Sequence, residues 1–222
     1  MNHVKKLSLY CMVPAIVLII NSCVIAKTNS DPDGALTWGP ELSFRISKFT
    51  GSTAKDWETM SLGTIGFGGF IHWHFSESVP LLGFLSGLFF NSYGGRWEYS
   101  DVKEKDRLSY LTIPITFTYE IIDGLRAEVG PDLSFLVGTK WTYDEGGDKT
   151  TESFNDDAAK VQIGYSIAVS YTHDESGLGG FIRWNGAFTN PYSSDYIGDD
   201  DWKVHNGGFS FGIRYALSQI IQ

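Results

Sequence analysis

The sequence predicts an all-β fold, an eight-stranded antiparallel up-and-down transmembrane β-barrel, and three observations predict it. Apolar and polar residues alternate with a period of two in one segment after another, as they do along a strand with two different faces. The connections alternate between short turns and long polar loops. The polar faces are built from Gly, Ser, Thr and Ala, while lysine stays in loops and at strand ends.

The first segment is of another kind. Lys5 and Lys6 precede an apolar run over 7–20, and small Ala26 closes the stretch. This is the layout of a signal peptide over 1–26, cleaved between Ala26 and Lys27 to leave a barrel domain over 27–222. The run is short for a spanning helix and contains Pro14. A second reading makes Cys23 a lipidated residue. Both cysteines, Cys11 and Cys23, fall in this segment, so the exported domain has no disulfide available to it.

The strands follow in order. Over 36–46, Leu36, Trp38, Leu42, Phe44 and Ile46 share a face against Thr37, Glu41, Ser43 and Arg45. Over 62–75, Ile65, Phe67, Ile71, Trp73 and Phe75 alternate with Thr64, Gly66, Gly68, His72 and His74. The stretch 81–97 is more apolar and its register is ambiguous. Over 108–121, Leu111, Ile113, Ile115, Phe117 and Tyr119 oppose Thr112, Thr116 and Thr118. Over 125–141, Leu125, Val129, Leu133, Phe135 and Val137 oppose Arg126, Glu128, Gly130, Asp132 and Ser134.

The clearest strand is 160–172. Val161, Ile163, Tyr165, Ile167, Val169 and Tyr171 lie on one face, and Gln162 to Thr172 on the other. Strands over 178–191 and 208–217 complete the set, carrying Arg183 and Arg214 on their polar faces. The turns at 76–80, 122–124 and 173–177 are short, whereas 47–61, 98–107, 142–159 and 190–206 are long and polar. No window reads as an amphipathic helix.

The face that meets lipid follows from residue type. Soluble sheets commonly carry lysine on their exposed face. Small polar side chains instead suit the crowded interior of a narrow barrel. The apolar rows therefore face lipid, with an aromatic girdle of Trp38, Trp73, Phe75, Tyr119, Trp141 and Tyr215. The soluble alternative, a secreted lipocalin-like barrel, requires a charged exterior that these rows lack. Inside, Glu41, Arg45, Arg126, Glu128, Arg183 and Arg214 are expected to pair as a lumen network, since lone charges there are costly. Eight strands leave room only for side chains, so a plugged lumen is expected.

At this point the chain resembles a family. The runs "LSYLTIPITFTYEI" and "GLRAEVGPDLSFLVGTK" and the terminal "FGIRYAL" are similar to outer-membrane β-barrel domains of the PorT-like and OmpA/OmpX-like kind. The resemblance covers 62–217 and is clearest at Tyr110-Leu111-x-Ile113-Pro114 and Gly130-Pro131. It implies the outer membrane, contact with its lipids and with the barrel assembly machinery, and a role in envelope structure, biogenesis or secretion. Such barrels commonly end on an aromatic residue, whereas here Leu217 is expected to be the last wall residue.

Sites for chemistry are weak. His72 and His74 share a face, about 7 Å apart along the strand, and read as lumen polar residues in place of metal ligands. Asp199, Asp200 and Asp201 read as a solvated loop tip. His173 with Ser176, and His205 with Ser210, are the candidates for a lipid A-modifying enzyme, which needs a base beside its nucleophile. Neither forms a His-x-Ser-Asn pattern on a strand. The expectation is a monomeric, non-enzymatic barrel without cofactor, whose long loops meet an unidentified extracellular or periplasmic protein partner. A net charge of -9 argues against a nucleic-acid partner, which needs a basic footprint.

Overall fold

The structure, a computed structural model, describes residues 36–56, 59–75, 81–99, 101–173, 175–193 and 203–217. The expected signal segment with its Ala26–Lys27 junction, Cys23 and Asp199 to Asp201 lie outside them. Alternation becomes strand: β1 Leu36–Thr50, β2 Met60–His74, β3 Leu82–Tyr99, β4 Val102–Pro114, β5 Thr116–Ile122 and β6 Leu125–Glu145. After a short β7 Asp148–Glu152 come β8 Val161–Thr172, β9 Leu178–Ala187 and β10 His205–Tyr215. One helical turn, α1 Ser52–Asp56, lies between β1 and β2.

β4 and β5 form a single wall strand interrupted at Ile115, because both pair with β3 on one side and with β6 on the other. Pro114 and Pro131 sit at this break, and the Ile115 amide donates to the Pro131 carbonyl at 2.9 Å. Every neighbouring pair is antiparallel, and β1 pairs with β10 from Glu41↔Arg214 to Thr50↔His205. The result is a closed ring of eight strands.

The two faces are assigned by burial. Along β8, Ile167 is 47% exposed and the adjacent Ser166 is 3% exposed. Large exposed apolar side chains ring the barrel, from Leu42, Phe44 and Ile46 on β1 to Phe209, Phe211 and Ile213 on β10. The buried polar residues, among them Glu41, Arg45, Glu128, Arg183 and Arg214, all point inward. This inversion is incompatible with a lipocalin-like core and defines a transmembrane barrel.

Several expected boundaries move. The segment 98–107 is almost entirely strand, because β3 and β4 stay paired up to Tyr99↔Val102. The segment 142–159 contains a hairpin in which β6 pairs with β7 from Trp141↔Glu152 to Glu145↔Asp148. Beyond the bilayer a ladder needs only its backbone bonds, so lysine and glutamate there hide a strand from a pattern based on apolar alternation. At the same end β9 stops at Ala187, and at the short-turn rim β10 stops at Tyr215, so Tyr215 and not Leu217 is the last wall residue.

One member of the expected girdle is misplaced. Trp38, Trp73, Phe75, Tyr119 and Tyr215 lie at the rim of the short turns, with Trp73 and Phe75 ring to ring at 5.6 Å. Trp141 does not join them. The β4–β6 register steps from Tyr110↔Leu136 to Ser109↔Gly138, which leaves Val137 as an extra residue in β6. Such a bulge reverses the facing of everything beyond it. Val137 is outward, but Trp141 lines an inward cavity at the long-loop end.

The face assignment predicts an asymmetry between neighbours. Ile167→Arg, near mid-wall, should cost about 2–4 kcal/mol in urea unfolding from lipid vesicles. Ser166→Thr keeps the hydroxyl and should cost far less. Equal costs would mean that the faces are reversed.

Candidate functional site

The lumen holds the densest polar chemistry of the described residues. Glu41 and Arg214 face each other across the closing ladder as register partners on β1 and β10. Arg183 arrives from β9 and Glu128 from β6, separated in register only by Ala168 of β8. That small residue leaves space for both long side chains to reach the barrel axis.

The four groups form one cluster. Arg214 Nε donates to Glu41 Oε2 at 2.7 Å, and its Nη2 donates to Glu128 Oε2 at 3.0 Å. Arg183 grips Glu41 with both terminal nitrogens, at 3.0 and 3.3 Å, and lies 3.9 Å from Glu128. The Ser170 hydroxyl donates to Glu128 at 2.6 Å. Two positive and two negative groups leave no net charge. Paired forks of this kind satisfy several donors at once.

Aromatic faces cover the cations. The Arg183 and Arg214 guanidiniums lie 4.5 and 4.8 Å from the Phe181 ring centroid, and Arg214 lies 5.7 Å from that of Phe70. Phe70 and Phe181 belong to the inward rows of β2 and β9. Sequence reading missed them because it sorted apolar residues to the outside by type. Continuing the parity from His72 back to Phe70, and from Arg183 back to Phe181, was the available signal.

The other two expected members of the network lie elsewhere. Arg126 pairs with Glu120 at 3.1 Å, near the short-turn rim. Glu120 extends the inward row Thr116, Thr118 and was legible in the same way. Arg45, 1% exposed, lies over Tyr93 with its guanidinium carbon 4.3 Å from the ring centroid. Its Nε and Nη1 have no hydrogen-bond partner among the described residues. Beside this layer Asp132 accepts from Ser166 at 3.2 Å and from Asn185 at 3.3 Å.

The candidates for other chemistry make short-range contacts, among them His173 Nδ1 and the Ser176 hydroxyl at 3.1 Å. His72 Nε2 lies 2.8 Å from the Thr118 hydroxyl, and its ring meets His74 edge-on at 4.2 Å. Among the described residues no group of three or more His, Cys, Asp or Glu is arranged to hold a metal ion. His173 Nδ1 accepts the Ser176 amide at 3.3 Å, and the Ser176 hydroxyl oxygen accepts the Leu178 amide at 3.3 Å. Those bonds shape a turn. Ser210 lies near Asn185 Oδ1, at 3.4 Å, whereas His205 contacts the Thr189 carbonyl.

The family described as outer membrane protein beta-barrel domain matches residues 26–220. Ail, the attachment invasion locus protein of Yersinia pestis solved with the heparin analogue sucrose octasulfate, is similar at 12% identity and a TM-score of 0.46, over 82% of this chain and 99% of that one. CarO of Acinetobacter baumannii gives 13% identity and a TM-score of 0.44, over 78% and 96%. Neisserial surface protein A gives 12% and 0.42, over 82% and 97%. No curated protein matches the sequence.

The cluster predicts non-additivity. Glu41→Ala leaves Arg183 facing Arg214 without the carboxylate between them, and should cost about 3–5 kcal/mol. The double change Glu41→Ala with Arg183→Ala keeps the Arg214–Glu128 pair. Its cost in vesicle unfolding should fall below the sum of the single changes by roughly 0.5–3 kcal/mol. Simple additivity would show that the pair is not coupled.

Proposed function

Because this chain belongs to the outer membrane beta-barrel domain family, and so resides in the outer membrane, we propose that it is a non-enzymatic barrel with a plugged lumen that acts by binding through its long-loop face. The observation that carries this reading is the way the interior is filled. The Arg–Glu cluster occupies one level, and Asp132 with Ser166 and Asn185 the next. Above them Phe49, Tyr93, Trp97, Leu108, Tyr110, Tyr192 and Val204 form a buried apolar cluster toward the long loops.

A path for solute would have to cross both an ion-paired layer and an apolar one. Neither has a reason to open, since separating the pairs exposes charge to a narrow, poorly hydrated space. The charged groups hold the wall together and are not arranged around a nucleophile. What remains for contact with the outside is the set of long connections, as is usual where loops sit on a rigid scaffold. Envelope structure, biogenesis or a secretion-linked role are the processes that such a surface would serve.

Planar bilayers provide the test. The folded protein should give only small or rare channel events. Long-lived conductance steps of porin size would overturn the plugged lumen and make diffusion the function.

A further inference from the structure

Above the outward apolar belt, β4 changes character. Its outward row runs Ile113, Leu111, Ser109 and then Arg107, Lys105, Lys103, so the strand has left the bilayer by Asp106. Here the inner face of the β3–β4–β6–β7 sheet lines a cavity of about 490 Å³. Cross-strand register builds its wall. Trp97 pairs with Glu104, and Asp106, Trp141 and Glu152 form one continuous row across β4, β6 and β7.

The lining is of one chemical kind. Its aromatic members are Trp97, Tyr99, Trp141, Phe154 and Tyr192. Its charged members are Glu104, Asp106, Glu152 and Asp157, and among the described residues no lysine or arginine lines it. Asp106 is 9% exposed, and its Oδ1 has no hydrogen-bond partner among the described residues. Its Oδ2 accepts the Tyr192 hydroxyl at 2.7 Å. Burial pushes this carboxyl up to about 6; the Tyr192 hydrogen bond opposes that shift and Glu104 adds to it. A buried carboxylate with one oxygen unsatisfied, set in an acidic surround, is suited to accept a cation.

The shape of the surround selects the type of cation. A calcium-like ion needs six or more oxygens drawn close around it, and these carboxylates are not grouped for a metal. Aromatic faces attract a diffuse, weakly hydrated cation through the ring quadrupole, as with quaternary ammonium groups. The volume suits a small molecule. We propose that this cavity binds a small organic cation of the quaternary or alkylated ammonium class, held among Trp97, Trp141 and Tyr192 and neutralised by Asp106, Glu104 and Glu152. This deepens the binding half of the reading above and rests on it.

The test uses the folded full chain in octyl glucoside, a detergent without a choline group. Tryptophan fluorescence and calorimetry would follow titration with choline chloride against its neutral isostere 3,3-dimethylbutan-1-ol, at constant ionic strength. Choline should bind saturably and the alcohol about tenfold more weakly or not at all. Trp141→Leu and Glu152→Gln should each weaken choline binding about three- to tenfold, with unchanged migration of the unboiled barrel on gels. Glu152→Gln, on an exposed residue, keeps the test valid if Trp141→Leu does not fold. Tighter binding of glycerophosphocholine than of choline would place the cation on a lipid headgroup, and weaker binding would place it on a free solute; either supports the cavity. Equal response to choline and the alcohol, or wild-type affinity in both variants, would overturn it. Conductance reads the lumen independently, so failure of the cavity and failure of the plugged barrel are distinguishable.

Discussion

A backbone group inside hydrocarbon has no water to bond, so each one must be satisfied within the chain. In this barrel the β1–β10 ladder completes that requirement, and the rest of the structure depends on it. Without the pairs from Glu41↔Arg214 to Thr50↔His205, β1 and β10 would be open edges in lipid. Closure with eight strands then settles the width of the interior. It also places Glu41 and Arg214 side by side, although they lie at opposite ends of the barrel sequence.

A lumen of this width has to be filled by its own wall. The inward rows therefore mix long and minimal side chains. A Cβ on Gly68 would fall 2.6 Å from the Phe89 ring, and one on Gly212 would fall 2.7 Å from Phe181. At each glycine a side chain would strike that ring and also a carbonyl of the adjacent strand, that of Leu88 and that of Leu42 respectively. The same economy of room explains Ala168 between Glu128 and Arg183. The charges of the Arg–Glu cluster are tolerable because each faces an opposite charge, and removing one would expose the others. Buried pairs of this kind specify an arrangement more than they stabilise it.

The barrel changes regime where the bilayer ends. Below the bulge at Val137 the outside is apolar and the inside mixes polar groups with rings such as Phe70 and Phe181. Above it the outward positions carry Lys103, Lys105 and Arg107, and the inward ones gather aromatics. A single extra residue in β6 brings Trp141 from the side expected of a girdle to the inner surface, between Asp106 and Glu152. The cavity is thus a product of register as much as of composition.

The fold class, the eight wall strands and, for most of them, the face that meets lipid are legible in the residues alone. Each of these follows from the period-two rule and from where lysine is absent, both local properties of a strand such as 160–172. The same rule places Glu41, Glu128, Arg183 and Arg214 on the inner face. Which of them meet is set by the closed sheet. Arg126 turned to Glu120 and Arg45 to Tyr93, because depth in a tilted, closed sheet depends on the register of every ladder between two strands. The bulge at Val137 was beyond reach for the same reason. It is a mismatch in length between two paired strands, and neither strand alone records it.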